Sequence, residues 1–183
     1  MKRTIGVVIL IAAVVAGTWL VAGRLHHPAP ATPDSAVPTR PDDAFAMTVV
    51  SVWDGDTLRA VPTAPNPAIA ETDDVRVRLI GIDTPEISDP AECWAEQAKA
   101  HLAALAPVGA TVWAAFGDDP RDRYDRLLLY LWTDDGRFIN RDLVAAGDAE
   151  TMTIPPNDDF AALLATSEAH ARAASAGQWG ACS

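Results

Sequence analysis

Between Val75 and Glu86 the chain reads V-R-V-R-L-I-G-I-D-T-P-E, and this stretch holds the residues best suited to chemistry. Arg78 lies inside an apolar run, where a guanidinium is costly unless an anion meets it. Asp83 and Glu86 supply carboxylates. Pro85 disfavours the helical region for Thr84, leaving that residue extended with its carbonyl available as an oxygen ligand. A cation, two carboxylates and a fixed carbonyl this close together point to a site for a metal ion and a phosphate. Further back, Asp56 follows the Asp54-Gly55 turn signal at the start of a strand and offers another carboxylate.

Spacing imposes a condition. Arg78 and Asp83 are an odd number of residues apart, so a regular strand would put their side chains on opposite faces. Convergence needs a bend or bulge, and Gly81 is where we expect it.

The elements that must position these groups follow from periodicity and turn signals. Met47–Trp53, Thr57–Val61, Val75–Leu79, Ala110–Phe116 and Leu127–Trp132 read as strands. Pro62–Asp74 reads as a loop, as does Gly117–Tyr124. In that second loop and at the start of the strand after it, Arg121, Arg123 and Arg126 crowd among Asp118, Asp119, Asp122 and Asp125, mostly as a solvated ion-pair surface. Arg126, nearest the strand, is the one we single out.

A first helix is expected with Asp89 as N-cap, Pro90 in the first turn and Glu92 completing a capping box, or else starting near Cys93. Its apolar stripe is Trp94, Ala98, Leu102 and Leu105. Asn140 is expected to cap a second helix through Ala146, stopped by Gly147. A third follows Pro155-Pro156-Asn157, with Phe160, Leu163, Leu164, Ser167, Ala171 and Ala174 on its buried face. His101 and His170 read as packing or surface residues, since neither has a histidine partner at metal spacing. Five strands with three helices make an α+β domain, and a small closed barrel is the arrangement that leaves no exposed edge.

Charge limits how a phosphate could be held. The formal net charge of -11 and the presence of lysine only at positions 2 and 99 exclude binding of polyanions by a broad basic surface. Phosphate chemistry would rest on a few arginines and a cation.

Residues 5–22 are free of charge, with Lys2 and Arg3 before them and Arg24 after. At 1.5 Å per residue, a helical run of about 18 residues spans roughly the hydrocarbon core of a bilayer. Residues 1–23 are therefore read as a signal anchor, or as a signal peptide cut near Val21-Ala22-Gly23 or Ala29-Pro30-Ala31. The preceding positive charge puts the rest of the chain outside the cytoplasm, at the cell membrane or secreted. Residues 24–44, with Pro28, Pro30, Pro33, Pro38 and Pro41, read as an extended linker before a domain at 45–183. In an oxidising compartment Cys93 and Cys182 are expected to form one disulfide, the alternative being two free buried thiols.

Five motifs in order then carry a resemblance. They are W-D-G-D-T at 53–57, V-R-L-I-G-I-D-T-P-E at 77–86, D-R-Y-D-R at 122–126, F-I-N-R-D-L-V-A-A-G at 138–147 and S-E-A-H-A-R at 167–172. From about Val49 to Trp179 the chain resembles the thermonuclease, or staphylococcal nuclease-like, enzymes. The resemblance implies a five-stranded oligonucleotide-binding (OB-fold) β-barrel, dependence on Ca2+, and cleavage of DNA or RNA to products ending in 3′-phosphate. It implies Asp56, Asp83 and the Thr84 carbonyl as metal ligands, Glu86 as general base, and Arg78 and Arg126 on the phosphate. Arg123 and Tyr124 are carried as substrate-binding candidates.

Two departures from the family pattern stand out. Asp125 occupies a position that is usually glycine, beside Arg126, where it either pairs with that arginine or faces solvent. The tyrosines expected after Gly147 are missing from residues 151–156, which predicts weaker substrate binding. The competing reading is a non-catalytic barrel that binds nucleic acid or a protein. Retention of Asp56, Arg78, Asp83, Glu86 and Arg126 favours the enzyme, and nothing in the sequence requires more than a monomer.

Overall fold

The computed structural model describes residues 37–70 and 73–182. The expectations for 1–23 and for most of 24–44 lie outside the described residues. Among the described residues no helix is long and apolar enough to cross a membrane.

Five strands close a barrel in the order β1-β2-β3-β6-β5. They are β1 (Phe45–Val52), β2 (Thr57–Pro62), β3 (Val75–Leu79), β5 (Thr111–Arg121) and β6 (Leu127–Thr133). All neighbours are antiparallel except β3 and β6, which run parallel with Val77 opposite Leu127. Alternation explains which side chains fill the barrel. Val75, Val77 and Leu79 are buried on one face of β3, while Arg76 and Arg78 belong to the other. Met47, Leu58, Val112 and Leu129 join them in the core.

Closure leaves no barrel edge exposed, as expected. A second, smaller sheet went unread in the sequence: β4 (Gly81–Asp83) pairs antiparallel with β7 (Glu150–Met152). Three residues are too few to show a period, so neither strand carried a signal. The loop expected at Gly117–Tyr124 is also corrected. Strand β5 runs on to Arg121, with an irregularity between Phe116 and Arg121 before it pairs again with Leu127.

Helix α1 (Ala95–Leu105) starts two residues after Cys93, at the later of the two expected places and not at the capping box. Glu92 does not cap it; its Oε2 accepts the Glu86 N–H at 2.9 Å. The Glu92 N–H donates in return to the Glu86 carbonyl at 3.0 Å. Those reciprocal bonds hold the segment out of a helix, and Trp94, at φ 75°, turns the chain into it. The Trp94 indole N–H donates to Asp148 Oδ1 at 2.7 Å, and the other oxygen of that carboxylate meets the His101 ring. His101 thus ties α1 to the turn after the second helix.

Helix α2 (Ile139–Ala146) is preceded by Phe138, so Asn140 is inside it rather than at its cap. The Asn140 amide is fully buried, accepting from the Leu131 N–H at 3.0 Å and donating to the Ile80 carbonyl at 2.9 Å. It clips β6 to the end of β3. Helix α3 (Ala161–Ala173) buries Leu164, Ser167, Glu168 and Ala171, whereas Ala174, expected on that face, is exposed. Phe160 precedes α3 and packs edge-on against Tyr130, with ring centroids 4.6 Å apart. His170 is exposed, as expected.

The four-residue α4 (Gln178–Ala181) ends the described chain, and Cys182 is joined to Cys93 across 89 residues of sequence. Trp179 packs beneath the Arg172 guanidinium, 3.5 Å from its ring centroid.

Candidate active site

Strand β3 delivers Arg78 to the outer face of the barrel, yet its side chain is only 11% exposed. Burial of a guanidinium demands partners, and three are present. Nη1 lies 3.1 Å from Asp56 Oδ2 and donates to the Leu79 carbonyl at 2.6 Å, while Nη2 donates to Asp83 Oδ1 at 2.8 Å. The chain turns at Ile80 and enters β4 at Gly81, whose φ is +82°. That is the bend required by the spacing of Arg78 and Asp83, and it lies at the expected glycine.

The turn between β1 and β2 fixes Asp56. Asp54 Oδ1 accepts the Asp56 N–H at 3.0 Å, an Asx-type closure of the turn. Asp56 Oδ1 accepts the Thr57 hydroxyl at 3.1 Å, and Oδ2 accepts the Thr84 N–H at 3.0 Å and its hydroxyl at 3.2 Å. Gly55 makes this approach possible. A Cβ there would come within 2.8 Å of both the Thr84 side chain and Ala98.

Burial pushes the Asp56 carboxyl up, against the pull of Arg78 and with added repulsion from Asp54, to about 7. One guanidinium therefore does not offset the cost of burying this carboxylate. Glu86 is exposed, and partial burial raises it above the ordinary carboxylate range, with Asp54 and Asp83 adding to the effect.

On the far wall Arg126 is oriented by Asp122. Asp122 Oδ2 accepts the Arg126 Nε–H at 2.7 Å, and Oδ1 accepts the backbone N–H groups of Arg126 and Tyr124, each at 2.9 Å. Burial acts to raise the Asp122 carboxyl, but these donors hold it below its usual range. Asp122 was not singled out in the sequence, although Asp four residues before an arginine at a turn is the signal that would have found it. Asp125 has φ 64°, which explains why glycine suits this position. Its carboxylate is 76% exposed and meets Arg121 at 3.1 Å, so it does not pair with Arg126.

A cleft of about 480 Å3 brings Arg78, Asp83, Glu86, Arg123 and Arg126 together. Asp56 joins them through Arg78, and Thr84 through its bonds to Asp56. Tyr124 is 54% exposed, with its hydroxyl accepting from Arg123 at 2.7 Å. Cys93 and Cys182 line no part of this cleft.

The donor set suits a hard cation. Asp56 and Asp83 each bring a carboxylate oxygen to the Arg78 guanidinium, with no histidine or thiolate in the set, and burial raises Asp56. Among the described residues no group of three or more His, Cys, Asp and Glu is placed to hold a metal ion by side chains alone. Two carboxylates and a carbonyl would leave the remaining coordination to water and a phosphate oxygen.

Comparison with known proteins agrees with this arrangement. Residues 76–181 match the family described as Staphylococcal nuclease homologue. The chain is 33% identical over 133 residues to a thermonuclease of Staphylococcus intermedius, covering 68% of this chain and 70% of that protein. It is 34% identical over 101 residues to an uncharacterized endonuclease of Escherichia coli O157:H7, covering 55% of this chain and 57% of that protein. With a family match over more than half its length, a closed five-stranded barrel and Arg78 joined to both aspartates, the chain belongs to the staphylococcal nuclease homologue family.

Proposed function

We propose that this protein is an exported Ca2+-dependent endonuclease that hydrolyses phosphodiester bonds of DNA or RNA, leaving 3′-phosphate ends. The observation that carries this reading is the convergence of Arg78, Asp83, Glu86 and Arg126 on one cleft, with Asp56 held behind them. Its relatives include a thermonuclease and endonucleases.

Asp56, Asp83 and the Thr84 carbonyl would hold the Ca2+ ion. When bound, it supplies positive charge to a phosphate oxygen and to the attacking water. The rest of the chemistry belongs to the chain. Glu86, with its raised proton affinity, takes a proton from water as the water oxygen bonds to phosphorus. The bond from phosphorus to the 5′ oxygen breaks, and that oxygen leaves as a hydroxyl by taking a proton from solvent, to which Glu86 returns its own. Arg78 and Arg126 donate to the phosphoryl oxygens, where negative charge grows during attack, and so bind the transition state more strongly than the substrate.

The join between Cys93 and Cys182 supports export, because such bonds persist in oxidising compartments. The charge-free run at residues 5–22 supports an anchor or a leader. We take the working form to be a monomer.

The test is incubation of the purified protein with heat-denatured DNA and with RNA, in Ca2+ and in chelator, followed by analysis of the product ends. Ca2+-dependent fragments bearing 3′-phosphate support the proposal. A folded, Ca2+-binding protein that cleaves neither substrate returns the account to a non-catalytic barrel.

A further inference from the structure

Trp53, at the turn between β1 and β2, is 72% exposed. It borders a second groove of about 440 Å3, also lined by Arg59 and Arg76, which shares Glu86 and Arg126 with the cleft already described. The two depressions thus meet across the proposed reacting centre. At the inner part of the groove are the buried Asp54 and Asp56.

Strand register explains how the arginines come to be there. Thr57 pairs with Arg78 and Arg59 pairs with Arg76, so Arg76 and Arg78 share one face of β3. They are about 6.6 Å apart along the strand. Arg59 is answered by Asp74, to which its Nε donates. Arg76 has no ion-pair partner among the described residues and donates to the Tyr124 carbonyl oxygen at 2.6 Å. Like charges directly opposed across an antiparallel pair are unfavourable, and Asp74 answers only the Arg59 member of this one. This placement is notable in a chain of net charge -11. The first cleft is bordered instead by Met152, Ile154 and Pro155, so Trp53 puts its exposed ring on the groove side, while Tyr124, 54% exposed, lines neither depression.

We propose that this groove is a second nucleotide subsite, in which an unpaired base stacks on Trp53 and the phosphate next to the scissile one is held by Arg76. It rests on the nuclease reading and extends it. A single strand would cross from one depression to the other over Glu86 and Arg126, and a duplex, whose bases are already stacked, would not use the ring. Trp53 would thereby replace part of the base contact missing from residues 151–156.

The test uses the full chain carrying Glu86→Gln, so that substrate survives. Binding of a fluorescent single-stranded dodecamer, of the same sequence as duplex, and of a mononucleotide 3′-phosphate is measured in Ca2+, with and without Trp53→Ala, Trp53→Phe or Arg76→Ala. Loss of one stacked base should weaken dodecamer binding by about 5- to 100-fold in Trp53→Ala, with recovery in Trp53→Phe. Arg76→Ala should also weaken it and lower its salt dependence. Mononucleotide and duplex binding should stay within about twofold of the parent. Dodecamer binding unchanged in both alanine variants, or absent in the parent, overturns the subsite. Cleavage by the protein with Glu86 intact is measured in parallel. If that protein cleaves while the alanine variants bind normally, the subsite alone fails. If it cleaves nothing yet dodecamer binding depends on Trp53, the subsite stands and the nuclease reading fails.

Discussion

Arg78 and Asp83 are five residues apart, and a 2.8 Å hydrogen bond joins them across the turn that ends β3. The turn brings together side chains that a continuous strand would have separated. Gly81, at φ +82°, provides it, and a Cβ at that position would come within 2.7 Å of Leu164 Cδ1. Gly81→Ala therefore meets both a left-handed backbone and a clash with α3. We expect a stability loss of about 1–2 kcal/mol from the backbone alone, read by urea denaturation. Cleavage should fall further than stability explains, because the Arg78 to Asp83 geometry is disturbed.

Asp122 makes its contribution through Arg126, whose Nε it fixes at 2.7 Å. Asp122→Ala should lower kcat on denatured DNA by roughly 10- to 100-fold, the scale of a misplaced charged donor. Adding Asp122→Ala to Arg126→Ala should then cost little more. Full additivity in that double-mutant cycle would show that Asp122 acts elsewhere.

Asp125 is a departure from the family pattern with little consequence for Arg126, since its carboxylate meets Arg121 and is 76% exposed. Asp125→Gly should leave kcat within about twofold and change stability by no more than about 1 kcal/mol, relief at φ 64° being offset by chain entropy. A large gain in activity would mean that Asp125 restrains the arginine after all.

Glu168 couples α3 to β7, accepting from the Thr151 N–H at 3.1 Å, from the Thr151 hydroxyl and from Arg172 Nε at 2.8 Å. Burial acts to raise its carboxyl, but these donors hold it below the usual glutamate range. A carboxyl lowered on folding stabilises the folded state above its unfolded value, and that stability is lost as pH falls through the folded value. Glu168→Gln should cost about 1.5–3 kcal/mol near neutral pH and flatten the decline of stability with acid. Equal losses at pH 7 and pH 3 would contradict the assignment.

The disulfide closes a long loop, with Cys93 and Cys182 separated by 89 residues. The paired change Cys93→Ser with Cys182→Ser should lower stability by about 4 kcal/mol in the chain-entropy account. The α1 start, two residues after Cys93, is where we expect hydrogen-exchange protection to fall first.

Much of this was legible in the sequence where a period or a turn residue carried it. Alternation marked the barrel strands, and the parity of Arg78 and Asp83 placed the bend at Gly81. Local capping rules failed where tertiary bonds competed. Glu92 matched a capping box yet bonds the Glu86 backbone, and Asn140 matched an N-cap yet bridges Leu131 and Ile80 from inside the helix. Such contacts join residues far apart in sequence, so no local window contains them. The same holds for the pairing of β4 with β7 and for the place of Asp148 between Trp94 and His101. Trp53 could be read as a strand end, but its exposure beside Arg76 depended on the register of β2 against β3.

The most direct test of the central claim is the rate at which the wild-type protein and Glu86→Gln cleave end-labelled denatured DNA in saturating Ca2+ and in chelator. We expect cleavage by the wild-type protein only with Ca2+, and a fall of at least about 100-fold in Glu86→Gln with Ca2+ binding retained. Cleavage by Glu86→Gln at the wild-type rate, or undiminished cleavage in chelator, would contradict it.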